Sequence, residues 1–290
     1  MLINKIVLGT VQFGLDYGIN NKNGKPKNEE INKILELAYL NGINTLDTSV
    51  AYGDSIKIIG NYHKQFANKY KIINKFFIDE VSIIEKANNE LLDCNVDNFE
   101  AYLFHNFSDF KCVNPNTIKK LEHLKDTKKI NKIGISVYTN EQFSDAIKSN
   151  LIDVIQFPYN LLDNSNQRAE LIIESKANNK ELHIRSVFLQ GLFFMPSNKL
   201  PYKINSFKKY LDCLNEIAKK NNISIEYLAL NYVLKNKNID KVLIGVDSLH
   251  QLQNNLTILN SIQKDNLNFS DEIDKIKVKE VELLNPVNWN

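Results

Sequence analysis

Residues 28–48 read NEEINKILELAYLNGINTLDT and contain one complete helix-to-strand unit. Four apolar residues in the first part recur at helical spacing: Ile31, Ile34, Leu35 and Ala38. This spacing predicts an amphipathic helix over residues 28–40, with Gly42 as its C-cap. The short run TLDT at residues 45–48 follows, with two β-branched threonines, and predicts a parallel strand buried on both faces.

The same unit repeats in both directions along the chain. Short apolar or β-branched runs predict eight strands, at residues 5–8, 45–48, 71–75, 100–104, 132–136, 154–158, 183–187 and 241–245. Amphipathic stretches lie between them, such as residues 81–92 and a helix capped by Thr139 or Asn140. This alternation predicts a (β/α)8 TIM barrel, and a doubly wound open sheet is the alternative.

The glycine pattern argues against the open sheet. The chain has only ten glycines, and no GxGxxG follows a predicted strand, so a Rossmann dinucleotide site is disfavoured. No linker rich in Pro, Gly or Ser divides the sequence, and its 290 residues suit one α/β barrel. We therefore expect residues 1–290 to form a single barrel domain.

Composition excludes several classes of protein. With 36 Lys and Arg against 34 Asp and Glu, the net charge of +2 gives no electrostatic reason to expect a nucleic acid or a charged membrane as partner. There is no apolar run long enough to span a membrane and no signal peptide pattern. The three cysteines, Cys94, Cys112 and Cys213, are far apart, which is unlike a disulfide framework or a zinc site. We expect a cytoplasmic protein acting on a small molecule; its oligomeric state is not predicted.

Four polar residues fall at the ends of consecutive predicted strands, where barrel enzymes carry their chemistry: Asp47, Tyr52, Lys75 and His105. A lysine beside a tyrosine lowers the phenol pKa from about 10, and an aspartate keeps the lysine charged. A histidine can orient a substrate oxygen. Such a set would protonate a carbonyl oxygen, with the hydride supplied by a cofactor because no side chain can donate one.

Each of the four also has an ordinary structural explanation. Lys75 could be a charge at a strand end, His105 a buried histidine bonded to backbone, and Asp47 a loop cap. Tyr52 is one of 12 tyrosines. Their shared position at strand ends favours one site over four unrelated residues.

Residues 43–53, INTLDTSVAYG, resemble the GINTLDTSxxYG signature of the aldo-keto reductases. Lys75 in INK and His105 in YLFHN stand at family-like places, and residues 133–137 resemble the family's GVSN strand. The resemblance extends over residues 8–289. The opening, LGTVQFGLDYG at residues 8–18, resembles a bacterial branch associated with surface-polysaccharide and sugar metabolism.

The resemblance implies a (β/α)8 barrel that binds NADPH or NADH and has no metal site. It implies Tyr52 as general acid, Lys75 as the modifier of its pKa, Asp47 as the partner of Lys75, and His105 as the orienting donor. It also implies a set of cofactor-binding residues: Gly9, Thr10, Asp47, Ser136, Gln156, Arg185, Ser186, Phe188, Gln190, Gly191, Gly245, Asp247, Ser248, Gln251, Asn254 and Asn255. Within this set, Gln156 is expected to hold the nicotinamide amide.

The sequence departs from the family pattern at three places. Residues 55–60 lack the glutamate that often follows the tyrosine, and Val137 replaces the asparagine of GVSN. Arg185 stands where an aromatic residue usually stacks on the nicotinamide. A guanidinium can stack on a flat ring but would repel NAD⁺. Arg185 is therefore expected either to stack while paired with an acid, or to bind an anionic part of the substrate.

Residues 245–255, GVDSLHQLQNN, predict a preference for NAD(H), or dual use, over strict NADP(H). A 2′-phosphate needs charge-assisted hydrogen bonds, and this segment contains no Lys or Arg. Gln251 stands where the family often has an arginine, and Asp247 adds a negative charge. Either Asp247 or Ser248 is expected to cap the helix that follows.

The predicted function is reduction of a carbonyl in an aldehyde, ketone or sugar. The alternative is a cofactor-binding regulatory or partner-binding module with little turnover, as in the β-subunits of voltage-gated potassium channels. A metal-dependent barrel lyase or isomerase is disfavoured, because only His105 among five histidines is well placed. The substrate and the physiological direction are not predicted, since the variable loops over the barrel mouth would choose the substrate.

Overall fold

Eight parallel strands close into a barrel in the computed structural model, which describes residues 2–289. The strands are β1 (Ile6–Gly9), β2 (Thr45–Asp47), β3 (Lys71–Phe76), β4 (Ala101–Phe104), β5 (Ile133–Ser136), β6 (Val154–Pro158), β7 (Glu181–Arg185) and β8 (Lys241–Gly245). Each pairs with the next in chain order, and β8 pairs with β1. The predicted (β/α)8 TIM barrel is confirmed, and the open sheet is excluded.

Helices follow the strands and pack on the outside of the barrel. They are α1 (Val11–Gly14), α2 (Asn28–Leu40), α3 (Ser55–Gln65), α4 (Ile83–Cys94), α5 (Phe107–Lys111), α6 (Pro115–Asp126), α7 (Asn140–Lys148), α8 (Ser165–Ala177), α9 (Lys208–Lys220), α10 (Ile225–Lys235), α11 (Leu249–Lys264) and α12 (Ser270–Ile273). Short 3₁₀ segments are Leu2–Lys5, Leu189–Phe194, Ser197–Lys199, Tyr202–Phe207, Val281–Leu284 and Pro286–Trp289. None of the helices within residues 2–289 is long and apolar enough to cross a membrane.

Most predicted bounds agree with the structure to within two residues, and the differences have local causes. β7 ends at Arg185 because Ser186 adopts a left-handed backbone with φ 60°, which a strand cannot continue. α2 has the predicted bounds, but Asn41 is its cap residue, and Gly42 follows with φ 90°. α7 begins after Thr139, whose hydroxyl accepts a hydrogen bond from the Gln142 backbone at 3.2 Å.

The barrel interior is apolar in its middle and polar at the C-terminal ends of the strands. Six apolar side chains from the strands form a compact group inside the barrel: Val7, Ile73, Ala101, Leu103, Val154 and Leu243. Alternate residues of a strand point to the same face, so the residue two positions further on faces the same interior. Lys75, His105 and Gln156 each lie two residues beyond a member of this group. The strand alternation thus places polar side chains at the C-terminal mouth.

Candidate active site

A cavity of about 320 Å³ opens at the C-terminal ends of the strands. This volume lies within the usual range for small-molecule sites. Its walls come from the ends of β1 to β8 and from the loops that follow, and they include Asp47, Tyr52, Lys75 and His105. The structure therefore brings the four predicted catalytic residues together in one cavity.

Lys75 lies at the bottom of this cavity and is only 1% exposed. Its ammonium donates a hydrogen bond to the Asp47 carboxylate and lies 3.4 Å from the Tyr52 hydroxyl. Burial acts to lower the pKa of Lys75, but the interactions with Asp47, first through its charge, and with Tyr52 outweigh it and raise that pKa above its usual value. The ammonium therefore stays charged beside the phenol.

Tyr52 sits in a tight turn between β2 and α3. Its N–H donates to the Ser49 carbonyl at 3.0 Å, and its own carbonyl accepts from the Ser55 N–H at 3.1 Å. Gly14 of α1 packs directly on this turn, because a Cβ at that position would lie 1.7 Å from the Tyr52 carbonyl oxygen. A side chain at position 14 would therefore displace the turn that holds Tyr52.

The pKa of Tyr52 departs from the sequence-based expectation. Burial raises it, and this effect outweighs the lowering by Lys75; Asp47 raises it further, and Arg185 lowers it. The expected lowering by Lys75 is thus present, but the net shift is upward. Tyr52 is consequently a protonated phenol at neutral pH, as a proton donor must be.

His105 is fixed by a contact that sequence reasoning did not identify. Its Nδ1 lies 2.7 Å from the hydroxyl oxygen of Ser49, a side chain with no solvent exposure. The imidazole stacks on the Phe77 ring at 4.6 Å and meets the Tyr52 ring edge-on at 6.0 Å. Burial, followed by the positive charge of Lys75, lowers the pKa of His105 to about 4, so the ring is neutral at pH 7.

Asp47 links the two sides of the cavity. One carboxylate oxygen accepts from Lys75, and the other accepts from the Gln156 side-chain amide at 2.8 Å. Gln156 is fully buried, and its carbonyl oxygen Oε1 has no hydrogen-bond partner among residues 2–289. A buried acceptor without a donor is costly. The primary amide of a nicotinamide is a donor that fits this oxygen.

The opposite wall is formed by β7, β8 and the segments after them. Arg185 lies there with its guanidinium carbon 4.0 Å from the centre of the Tyr138 ring. Its Nη2 donates to the Val137 carbonyl at 3.2 Å. Arg185 thus lines the same cavity as Tyr52 and His105.

A model of the Aldo/keto reductase family matches residues 5–277. The chain belongs to this family. The resemblance found in its motifs is thereby confirmed, and with it the broad class of oxidoreductases acting on carbonyl compounds.

Proteins similar to this aldo-keto reductase occur in several bacteria. It is 25% identical over 270 residues to the NADH-specific methylglyoxal reductase of Escherichia coli (strain K12), covering 79% of this chain and 82% of that one. An aldo-keto reductase from Bacillus halodurans in its holo form shares the fold with a TM-score of 0.72 at 19% identity, covering 97% and 91% of the two chains. One from Klebsiella pneumoniae in complex with NADPH has a TM-score of 0.68 at 15% identity, covering 96% and 93%.

Almost all predicted cofactor-binding residues of this aldo-keto reductase line the cavity. Those that do are Gly9, Thr10, Asp47, Ser136, Gln156, Arg185, Ser186, Phe188, Gln190, Gly191, Gly245, Asp247, Gln251, Asn254 and Asn255. Ser248 does not, because its hydroxyl caps α11 and accepts from the Gln251 backbone at 3.3 Å. This settles the capping alternative, since Ser248 and not Asp247 is the N-cap.

Several wall residues were not among the predicted site residues. Gln12, Tyr138 and Glu226 line the cavity without having been predicted to do so. Tyr138 had a signal, because it directly follows the strand motif that ends in Val137. Glu226 had none, since it starts a helix whose packing against the cavity depends on the fold.

The metal-dependent alternative finds no support in the side chains. Within residues 2–289, no three His, Cys, Asp or Glu side chains are grouped so that they could hold a metal ion. The cysteines Cys94, Cys112 and Cys213 are all free.

Proposed function

We propose that this aldo-keto reductase, working as one barrel domain over residues 1–290, reduces the carbonyl of an aldehyde, ketone or sugar with Tyr52 as general acid. The observation that carries the proposal is the Tyr52 hydroxyl 3.4 Å from a buried ammonium that is itself paired with Asp47. The resemblance of residues 8–18 to a bacterial branch of the family favours a role in sugar or surface-polysaccharide metabolism.

The four residues divide the work between them. Tyr52 gives its phenolic proton to the carbonyl oxygen of the substrate. Lys75 stabilises the phenolate that remains, and Asp47 keeps Lys75 charged and in place. The proposed role of His105 requires the Ser49 hydroxyl, 2.7 Å away, to donate to Nδ1, so that Nε2 carries the proton that orients the substrate oxygen.

The cofactor is a nicotinamide dinucleotide, which supplies the hydride that no side chain can provide. Gln156 would receive its carboxamide on the unpartnered Oε1, and Ser136 lies beside Gln156 in the β5–β6 pairing. The rest of the cofactor would be held by Ser186, Gln190 and the segments after β7 and β8. The residues that would hold the cofactor and the proposed proton donor Tyr52 thus line one cavity.

We further propose a preference for NAD(H) over NADP(H). Among the cavity-lining residues that the structure describes, Lys75 and Arg185 are the only Lys or Arg, and neither belongs to the segment after β8. That segment contributes the Asp247 carboxylate, and Glu226 adds a second one to the cavity wall. A 2′-phosphate at this end would meet carboxylates and amides without a cation, which is unfavourable.

Turnover by Tyr52→Phe tests the proposal. The purified protein is assayed with NADH and NADPH against a panel of aldehydes, ketones and sugars, and the variant is measured on the best substrate. We expect kcat to fall about 10²- to 10⁴-fold, the usual contribution of a general acid, while cofactor affinity changes little. A variant that retained the wild-type kcat would refute Tyr52 as the acid. Absence of turnover with every carbonyl would favour the partner-binding alternative.

A further inference from the structure

Arg185 is the one cavity-lining cation, within the described residues 2–289, that has no anionic partner. Lys75, the other, is paired with Asp47. The ion pairs of the described residues do not include Arg185. A partly buried guanidinium without a counter-charge loses hydration and gains little in return.

Asp163, in the loop after β6, forms its ion pair with Arg168 and not with Arg185. Asp163 is fully buried, and both of its oxygens are held by Arg168, at 2.7 Å and 2.8 Å. Arg168 also donates to the Tyr138 carbonyl at 2.7 Å, which fixes the residue whose ring lies under Arg185. One arginine of this region is therefore structural, and the other faces the cavity without an ion pair to any described residue, although its charge acts to lower the pKa of Asp163.

The position of Arg185 is held firmly enough for recognition. Its guanidinium lies over Tyr138, and two of its nitrogens have directed contacts, with Val137 at 3.2 Å and Ser186 at 3.5 Å. These contacts use only part of the five N–H donors of the group. The remaining donors are left for another molecule.

Tyr17 adds a neutral donor to the same part of the cavity. Its hydroxyl oxygen accepts from the Gln190 side chain at 3.0 Å, so its proton is left for another acceptor. Burial raises the pKa of Tyr17 to about 12, although the charge of Arg185 lowers it somewhat. Tyr17 is consequently protonated at neutral pH. Arg185 also acts to lower the pKa of Tyr52 and of His105, so its charge is felt at both proposed reacting groups.

We propose that Arg185, assisted by the Tyr17 hydroxyl, binds an oxyanion of the substrate, a carboxylate or a phosphate, so that the substrates are carbonyl compounds with a negative charge. This inference rests on the proposed function and narrows its substrate class. An anion beside Arg185 satisfies the free guanidinium donors by charge-assisted hydrogen bonds.

Matched substrate pairs test this inference. One series is the three carboxybenzaldehyde isomers, each against its methyl ester; a second pair is glyceraldehyde 3-phosphate against glyceraldehyde. We expect the wild type to favour the anion of at least one pair by about tenfold or more in kcat/KM, as hydrogen bonds to a charged group allow. The responding pair identifies carboxylate or phosphate as the group recognised.

Arg185→Met and Arg185→Lys then assign the preference to this side chain. Each variant is scored by the ratio of the two kcat/KM values within a pair, because any common effect through the cofactor cancels in that ratio. The ratio should approach one in Arg185→Met and take an intermediate value in Arg185→Lys, which keeps the charge but loses the planar fork. A ratio unchanged in Arg185→Met, or no anion preference in the wild type, would overturn the inference.

A binding measurement separates this inference from the proposed reaction. Calorimetric titration with benzoate and with benzamide, with and without NADH, requires no turnover. Benzoate should bind to the wild type and weaken at least about tenfold in Arg185→Met, while benzamide binding should change little. Benzoate binding that survives in Arg185→Met contradicts the inference even if carbonyl reduction is intact. If the wild type binds benzoate through Arg185 but reduces no carbonyl, the proposed function is contradicted and the anion site is not.

Discussion

The two sides of the cavity are built on different physical principles. On the β2–β4 side, Asp47 and Lys75 are almost completely buried and are held by each other and by the surrounding chain. On the β7–β8 side, Arg185 is partly exposed and unpaired, and Asp247, Gln251 and the neighbouring amides line an open wall. The first side is preorganised for one reaction, which favours electrostatic catalysis. The second has unfilled hydrogen-bonding capacity and is suited to bind and release molecules.

Substitution of Lys75 should give the largest effect, because it acts on the preorganised side. We expect Lys75→Met to lower kcat about 10²- to 10⁴-fold, and the double variant with Tyr52→Phe to be little worse than either single one, since the two residues act as a unit. Steady-state kinetics of the three variants measures this. Additive losses would show that the two sites work independently.

A folding control is required for this variant, since Lys75→Met leaves the Asp47 carboxylate buried without its cation. Asp47→Asn combined with Lys75→Met removes both charges and keeps the shapes similar. Both variants should be compared by thermal melting before their kinetics are interpreted.

Substitution of Gln251, on the β7–β8 side, should change cofactor binding, with a smaller effect than Lys75→Met has on kcat. Wild-type protein should bind NADH about tenfold or more tightly than NADPH. Gln251→Arg should improve NADPH binding about 10- to 100-fold, because it adds a charge-assisted hydrogen bond near the 2′-position. Fluorescence titration with both reduced cofactors measures the change.

The matched control is Gln251→Met, because Gln251 also accepts from the Asp247 N–H at 3.1 Å and that bond is lost in both variants. Tighter binding of NADPH than of NADH by the wild type would show that the segment after β8 is not the determinant assumed here.

Ser49 should give the smallest effect, because its hydroxyl contacts His105 and the Ala51 N–H at 3.1 Å and is assigned no direct role in the reaction. Ser49→Ala removes the hydroxyl 2.7 Å from Nδ1, and a single hydrogen bond of this kind corresponds to about a 3- to 10-fold loss of kcat. Nitrogen-15 NMR of the imidazole should show the ring in a mixture of tautomers. Ser49→Cys, which keeps a weak donor, should lose less. A kcat loss with an unchanged tautomer signal would argue against this positioning role.

The sequence predicted what depends on periodicity and missed what depends on long-range contact. The bounds of α2 followed from four apolar residues at helical spacing, and the placement of Lys75 and His105 at one mouth followed from the barrel topology. The Ser49–His105 contact joins residues 56 positions apart, and no pattern within either segment signals it. The upward shift of the Tyr52 pKa was also missed, because its sign depends on how much water the folded cavity admits.

The buried Asp47–Lys75 pair has a consequence for the stability of the barrel. Two charges taken out of water at the end of the core recover little net free energy, and apolar residues of similar volume in such places often give a more stable fold. The unpartnered carbonyl oxygen of Gln156 adds a further cost at the same place. A ligand that satisfies that oxygen binds only the native state and so raises the free energy of unfolding. The melting temperature of this protein is therefore itself a reporter of what occupies the barrel mouth.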